Sequence, residues 1–196
     1  DILRKKNHTK IMKYIFIFFV ALFSAASTYA MPSQVILIRH GEKTSPGTYL
    51  SLKGRQRAAA LVPTFLGSPP LLHYGPPAAI YVMKSGKKAP AVRWAQTVIS
   101  LADELNIPLQ TQYNRKETEQ LVKEIQETEE YEGKMVLVCW SHGELPLLAK
   151  QLGAKKVPKK WPRDVFDRFW ILTYEENGEV TLQDLPQKLL YGDSAK

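Results

Sequence analysis

The chain has 196 residues, of which 44% are hydrophobic and 23% charged, a composition typical of one globular domain with a sizeable core. The formal net charge is +8, and part of it comes from a cluster of basic residues among the first thirty. The rest of the chain is mildly basic and lacks a dense basic stripe with interleaved aromatic residues. This pattern argues against nucleic acid as a partner and suits a small anionic ligand.

Residues 1–30 have the pattern of an export signal. Lys13 precedes the apolar run 14–23, and small residues then lead to Ala30. A basic region, a short apolar region and a small-residue cleavage site in this order are typical of a secretory signal peptide. Because the run is shorter than the roughly 20 residues that span a bilayer, we expect cleavage after Ala30 rather than retention as a membrane anchor.

This signal divides the chain into two parts. With Met12 as its start, residues 1–11 are an upstream extension, and residues 31–196 form the mature domain. We expect this domain to be periplasmic or secreted, without stable membrane association once the signal is removed. Its single cysteine, Cys139, lies in an apolar strand pattern, so we expect a buried core residue and no internal disulfide.

The elements of the mature domain alternate between strands and helices. We predict strands at 34–39, 78–83 and 134–140, and a short strand or extended segment at 108–113. Helices are predicted at 51–62, 91–106, 117–131 and 144–152, and a closing hairpin at 168–175 and 179–184. Ser51 is the predicted N-cap of the first helix, and Pro63 is expected to bend or end it. The alternation predicts an α/β domain, a three-layer α/β/α sandwich around a mostly parallel central sheet.

Two of the strands end at a histidine followed by a glycine. The first run ends in Arg39-His40-Gly41 and the second in Ser141-His142-Gly143. Continuous apolar runs of this kind are typical of parallel strands that are buried on both faces. In such sheets the ligand site lies beyond the carboxyl ends of the strands. The sequence therefore predicts that both imidazoles face one crevice.

The residues around His40 suit the chemistry of phosphate. A neutral imidazole can attack phosphorus as a nucleophile, and Arg39 beside it offers a planar fork of donors for phosphate oxygens. Gly41 lets the backbone turn tightly there. A second arginine is needed for the other oxygens of the transferring group. Arg93, near a helix start, is the candidate, although alone it would be read as a solvated helix residue.

At this point the chain resembles the histidine phosphatase superfamily, which includes the cofactor-dependent phosphoglycerate mutases and many acid phosphatases. The resemblance spans roughly residues 33–175. Four motifs carry it, in the family's order: Arg39-His40-Gly41-Glu42, Leu52-x-x-Gly54-x-x-x-Ala58, Arg93-x-x-Gln96-Thr97 and Ser141-His142-Gly143. Each motif is loose, but the ordered combination is specific.

The resemblance implies a phosphoglycerate mutase-like fold and a phosphatase that needs no cofactor. His40 would be the nucleophile that becomes phosphohistidine. Arg39, Arg93 and His142 would bind the phosphate together with His40 and stabilise the transferring group. The implied activity is hydrolysis of a small phosphomonoester, and the implied partner is that phosphorylated substrate.

The family commonly adds a carboxylic acid that protonates the leaving oxygen. Glu117 lies at about the family's spacing after the second arginine, and it is the first candidate. Glu144, two residues after His142, is the alternative acid. Glu42 is a family-typical neighbour of the nucleophile, for which we expect a structural role.

The chain also departs from the mutases. Mutases carry an asparagine in the region that corresponds to residues 43–48, and this chain has none there. It also lacks the long insertion with which mutases bind phosphoglycerate. An export signal, in addition, suits a glycolytic enzyme poorly. These points favour an exported phosphatase. A non-catalytic phosphate-binding or interaction protein on the same fold is the main alternative, and a phosphoglycerate mutase is a weaker one.

Other features carry less information. We predict no metal site, because the mature domain has three histidines, no His-x-x-x-His spacing and one cysteine. The basic loop 84–88 either attracts anionic substrates or is simply solvated. The tryptophans are expected in the core or at its rim. The oligomeric state is left open.

Overall fold

The structure is a computed structural model that describes residues 31–45, 47–68, 71–86 and 91–195. The predicted upstream extension and signal peptide lie outside these residues. Within them, the elements in chain order are β1 (Gln34–Arg39), α1 (Leu52–Gly67), β2 (Pro77–Val82), α2 (Arg93–Leu105), β3 (Leu109–Gln110), α3 (Thr118–Glu127), β4 (Met135–Trp140), α4 (Leu145–Gln151), β5 (Arg168–Tyr174) and β6 (Val180–Pro186).

All six strands form one sheet in the order β3-β2-β4-β1-β5-β6. Strands β3, β2, β4 and β1 are parallel to one another, and β5 and β6 extend the sheet in antiparallel pairing. Every residue of β1 and of β4 is buried, as the apolar runs within them predict, and the polar Gln34 and Arg39 at the ends of β1 are buried as well. The two central strands thus form the middle of the core.

The helices cover both faces of the sheet. The connections through α1 and α2 lead toward the β3 edge, whereas the one through α3 leads back. Because crossovers between parallel strands are right-handed, connections in opposite directions place their helices on opposite faces. In agreement, α1 packs against α2, and α3 packs against α4. The predicted three-layer α/β/α sandwich with a mostly parallel sheet is confirmed.

Several core residues match the sequence expectations. Cys139 is fully buried, and so are the four tryptophans to within a few per cent of exposure: Trp94, Trp140, Trp161 and Trp170. The hydroxyl of Ser51 accepts from the Gly54 amide at 3.2 Å, which confirms this residue as the N-cap of α1.

Some predicted boundaries are wrong. α1 does not end at Pro63, because it continues to Gly67. The exposed proline is flanked by Leu61 and Phe65, both fully buried. Burying Phe65 stabilises the last turn by roughly 2–3 kcal/mol, comparable with the ~3 kcal/mol cost of a proline inside a helix. Elsewhere, α3 stops at Glu127, before a separate 3₁₀ turn.

None of the helices in the described ranges is both long and apolar enough to cross a membrane.

Candidate active site

Both His-Gly turns lie at the same end of the sheet, where the parallel strands have their carboxyl ends. Strands β1 and β4 are adjacent and parallel, and Arg39 at the end of β1 pairs with Trp140 at the end of β4. His40 and His142 therefore leave the sheet at the same level. The connections that follow these two strands go to opposite faces. Ligands of α/β proteins bind at such a switch point, outside the carboxyl ends of the strands.

His40 is held in one orientation and one tautomer. Its Nδ1 lies 2.7 Å from the carbonyl oxygen of Gly41, and since a carbonyl only accepts, Nδ1 carries the proton. The lone pair is then on Nε2. The ring packs edge-on against Trp94 at 5.6 Å between centroids, and against Phe166 at 5.8 Å. The imidazole is only 2% exposed.

The surroundings keep His40 uncharged. Burial lowers the pKa of its imidazole to about 3, and the positive field of Arg93, Arg39 and His142 acts in the same direction. The hydrogen bond to Gly41 opposes the shift but does not outweigh it. A neutral imidazole with a free Nε2 lone pair is the form required of a nucleophile.

Arg39 is fixed from two sides. Its Nη1 donates to carbonyl oxygens of the segment 162–166, among them that of Val165 at 3.0 Å and that of Arg163. The guanidinium also lies over the Phe166 ring, 3.7 Å from its centroid. Burial lowers the pKa of Arg39 to about 10, although the carboxylate of Asp164 acts against this shift. The segment 162–166 thus forms the wall that holds Arg39. Because it lies more than 120 positions from Arg39 in the sequence, no local sequence pattern could reveal it.

Arg93 is the first residue of α2, the helix that follows β2, and β2 lies beside β4 in the sheet. Its side chain therefore reaches the same end of the sheet. Its Nη1 donates to the carbonyl oxygen of Gly47, and its guanidinium lies 4.1 Å from the Trp94 ring centroid. Burial lowers the pKa of Arg93. The interpretation of this arginine as a solvated helix residue is thereby disfavoured, because its side chain is half-buried and its guanidinium contacts both Gly47 and Trp94.

The cationic groups leave hydrogen-bond donors unused. The buried Nε atoms of Arg39 and Arg93 and the indole nitrogen of Trp94 have no hydrogen-bond partner. Within the described part of the chain, neither arginine forms an ion pair with a carboxylate. Buried charges and donors are normally paired. An anion with several oxygens would pair with these groups.

Thr97 connects the turn that follows β1, residues 40–42, to α2. Its hydroxyl accepts from the Gly41 amide at 3.0 Å and donates to the carbonyl oxygen of Arg93 at 2.7 Å. The carbonyl that orients His40 and the arginine that opens α2 are thus held together through one side chain. Thr97 stands in the family motif, but the sequence alone did not indicate this contact.

His142 and Arg93 each line a pocket. His142 is half-buried, and burial together with the charge of Arg39 lowers the pKa of its imidazole. It borders a pocket of about 460 Å³, and Arg93 borders one of about 710 Å³. The basic residues that line these pockets are Lys150, Lys159 and Lys160 on the His142 side, and Lys84, Arg115 and Lys116 on the Arg93 side. Residues 87–88 of the predicted basic loop lie outside the described residues.

The two candidate acids have different surroundings. The Oε2 atom of Glu117 accepts from the Asn114 amide at 2.8 Å, so this carboxylate closes the turn before α3. Glu144 immediately precedes α4, and its Oε1 forms an ion pair with Arg115 at 2.5 Å. The second oxygen of Glu144 is buried without a hydrogen-bond partner. Its charge also acts on His142. The unpaired buried oxygen and the place beside His142 favour Glu144 over Glu117.

Glu42 has the structural contacts expected of it. Both of its carboxylate oxygens accept from Arg57, at 3.0 Å from Nε and 2.7 Å from Nη2. Among the described residues, no group of three or more histidine, cysteine or acidic side chains is arranged to hold a metal ion.

Searches of protein families and of curated proteins gave no match to this chain. Among solved structures, the chain is similar to the protein histidine phosphatase SixA complexed with tungstate, with 19% identity and a TM-score of 0.49. It is also similar to the putative phosphohistidine phosphatase SixA from Agrobacterium tumefaciens, with 15% identity and a TM-score of 0.49. Each similarity covers 79% of this chain and 97% of the other.

Proposed function

We propose that this protein is a metal-independent phosphatase that hydrolyses a small phosphomonoester through a phosphohistidine intermediate on His40. One observation carries the proposal. A buried, uncharged imidazole with a free Nε2 lies beside two arginines that have unpaired donors and no carboxylate partner. A nucleophile and an anion site therefore coincide at one edge of the sheet.

In the first step, Nε2 of His40 attacks the phosphorus of the bound ester. The N–P bond forms as the bond from phosphorus to the leaving oxygen breaks, and the alcohol departs with a proton from a carboxylic acid. Charge on the transferring phosphoryl oxygens is stabilised by Arg39, Arg93 and His142. The Gly41 carbonyl keeps the proton on Nδ1 and stabilises the positive charge that develops on the ring.

In the second step, water attacks the phosphorus of phosphohistidine. The N–P bond breaks, the new P–O bond forms, and the carboxylate that gave up its proton takes one from the water. Inorganic phosphate then leaves, and His40 is again neutral. We propose Glu144 as this acid and base, because it lies next to His142 and has a buried oxygen without a hydrogen-bond partner.

The test compares the wild-type protein with His40→Ala in a metal-free assay with an aryl phosphate. The proposal requires turnover in the presence of a chelator, inhibition by vanadate, and loss of turnover in the variant. His73→Ala is the matched control, because His73 lies outside the site, against Tyr74. Undiminished turnover by His40→Ala would exclude the mechanism.

The same assay separates the alternatives. Vanadate binding without turnover of any phosphoester between acidic and neutral pH would indicate a non-catalytic phosphate-binding protein. Exchange of the phosphoryl group between the two hydroxyls of phosphoglycerate would indicate a mutase. Export through the signal within residues 12–30 stays a prediction, which N-terminal sequencing of the mature protein would test.

A further inference from the structure

Arg57 on α1 lies at the centre of a buried polar cluster. This cluster lies behind the turn that carries His40, residues 40–42, which is called the nucleophile turn. The residue is 1% exposed, and its guanidinium uses all five N–H donors. Two go to Glu42, two to Asp193 at 2.7 and 2.8 Å, and one to Gln187 at 3.0 Å. One cation therefore joins two carboxylates that are far apart in the sequence.

One carboxylate belongs to the nucleophile turn. Glu42 is two residues after His40, and its carbonyl oxygen accepts from the Ser51 amide at 2.9 Å. Its side chain is 16% exposed, and Lys53 is the only other cation within ion-pair distance among the described residues, at 3.7 Å. The position of the turn that carries His40 is therefore coupled to the position of Arg57.

The other carboxylate belongs to the C-terminal tail, residues 187–194. Its Oδ2 atom accepts from the amides of Leu189 and Leu190, both at 3.0 Å, so Asp193 folds the tail around itself. The tail also contacts Asp167, whose carbonyl accepts from the Gln187 amide at 2.8 Å and whose Oδ2 accepts from the Ser194 amide at 2.5 Å.

Asp167 directly follows Phe166, which packs against both Arg39 and His40. The C-terminal tail is thus bonded to both sides of the candidate site. On one side it reaches the nucleophile turn through Arg57, and on the other it reaches the wall that holds Arg39. Tertiary contacts of this kind can fix a reacting group within a fraction of an ångström, which strongly affects rate.

Burial makes this coupling stringent. Burial opposes ionisation of Glu42 and Asp193, but the hydrogen bonds and charge of Arg57, together with backbone hydrogen bonds, outweigh it and lower the pKa of both carboxyl groups. Removing one partner from a buried, fully bonded charge cluster leaves its other members unpaired. We therefore expect Arg57, Glu42 and Asp193 to keep their relative positions, so that a displacement of one displaces the others.

We infer that the C-terminal tail is a positioning element for catalysis, and that Asp193, acting through Arg57 and Glu42, holds the turn that carries His40. This inference rests on the proposed function. It assigns to Asp193 no contact with substrate. Its effect is on the geometry of the nucleophile, so it should alter kcat more than KM.

The kinetic test compares Asp193→Asn with Asp184→Asn. Asp184 is the matched control, since it forms a 2.6 Å ion pair with Arg168 in the β5–β6 hairpin and is 38% exposed. We expect Asp193→Asn to lower kcat about tenfold with KM within about twofold of wild type. The control should keep wild-type kinetics. Unchanged kcat in folded Asp193→Asn would overturn the inference. If this variant does not fold, Asp193→Glu, which keeps the charge, replaces it.

A second readout does not depend on turnover. The Gly41 amide, bonded to Thr97, reports local opening of the nucleophile turn by hydrogen exchange. In Asp193→Asn the Gly41 amide should exchange about tenfold faster than in Asp184→Asn. The amides of β4 should exchange at the same rate in the two variants. Uniform acceleration throughout the core would mean a purely structural role and overturn the inference. If the wild type has no turnover, the phosphatase proposal fails separately, and this readout alone decides.

Discussion

At the scale of single residues, the site depends on an imidazole that is buried and uncharged yet surrounded by cations. A histidine exposed to water titrates near pH 6.5, whereas the pKa of His40 is lowered to about 3 by burial and by the neighbouring positive charges. His40 therefore stays uncharged in acidic solution, which is the form that the proposed mechanism requires of it, and a carboxylic acid donor is protonated under the same conditions. This combination favours an enzyme that works at acidic pH.

The first prediction concerns the pH profile of kcat/KM for an aryl phosphate. The free enzyme loses its nucleophile only when pH falls toward about 3, because protonation of His40 follows its lowered pKa. On the alkaline side, the rate should fall as the carboxylic acid donor ionises. We expect an acidic optimum, measured by steady-state kinetics across a pH series. An acid limb near the ordinary pKa of histidine would contradict the assigned environment of His40.

The same profile identifies the acid. A glutamine cannot donate the proton to the leaving oxygen, so Glu144→Gln should lower kcat by about 10²–10⁴ and remove the alkaline limb. Glu119→Gln, an exposed residue in the first turn of α3, is the matched control. If Glu117→Gln removes the limb and Glu144→Gln does not, the first candidate from the sequence is the acid.

At the scale of elements, the nucleophile turn lies directly on the start of α1. A Cβ atom on Gly54 would stand 2.1 Å from the Glu42 carbonyl oxygen, and one on Gly41 would stand 3.0 Å from the Gly54 carbonyl oxygen. Backbone thus meets backbone, and the glycine within the first turn of α1 is required by this close approach.

Substitution at Gly54 tests that contact. Gly54→Ala should lower the free energy of unfolding by about 1–3 kcal/mol, because the Glu42 backbone must move, and turnover should fall with it. The control is Gly67→Ala at the end of α1, where a Cβ meets nothing within 4 Å. That change should be neutral or stabilise by up to about 1 kcal/mol. Denaturant unfolding measures both, and equal stability of the two variants would exclude the close packing.

Elements with strong patterns were predictable from the sequence. β1 contains the apolar run 35–38 and β4 is apolar throughout, and the placement of His40 and His142 after these runs followed directly. Elements that depend on tertiary contacts were not. β3 is only two residues long and is defined by its pairing with β2, which no local pattern reveals. The end of α1 beyond Pro63 depends on burial of Phe65.

At the scale of the whole molecule, the sheet order places the site, and this order could not be derived from the sequence. β1 lies between β4 and β5, so its neighbours come from the second half of the chain. For the same reason, the wall of Arg39 at 162–166 and the tail bonded to Arg57 were not predictable. Both contacts join residues more than 120 positions apart. Motif order identified the charged groups, and topology determines what holds them.

The most direct measurement is chemical trapping of the covalent intermediate. The wild-type protein is mixed with an aryl phosphate, quenched during turnover under alkaline conditions that preserve phosphohistidine, and digested for mass spectrometry. The account predicts one phosphoryl group on the peptide that contains His40. This phosphoryl group should disappear once the substrate is exhausted. A phosphoryl group on another residue, or turnover with no phosphorylated peptide at any time, would contradict the assignment of His40 as the nucleophile.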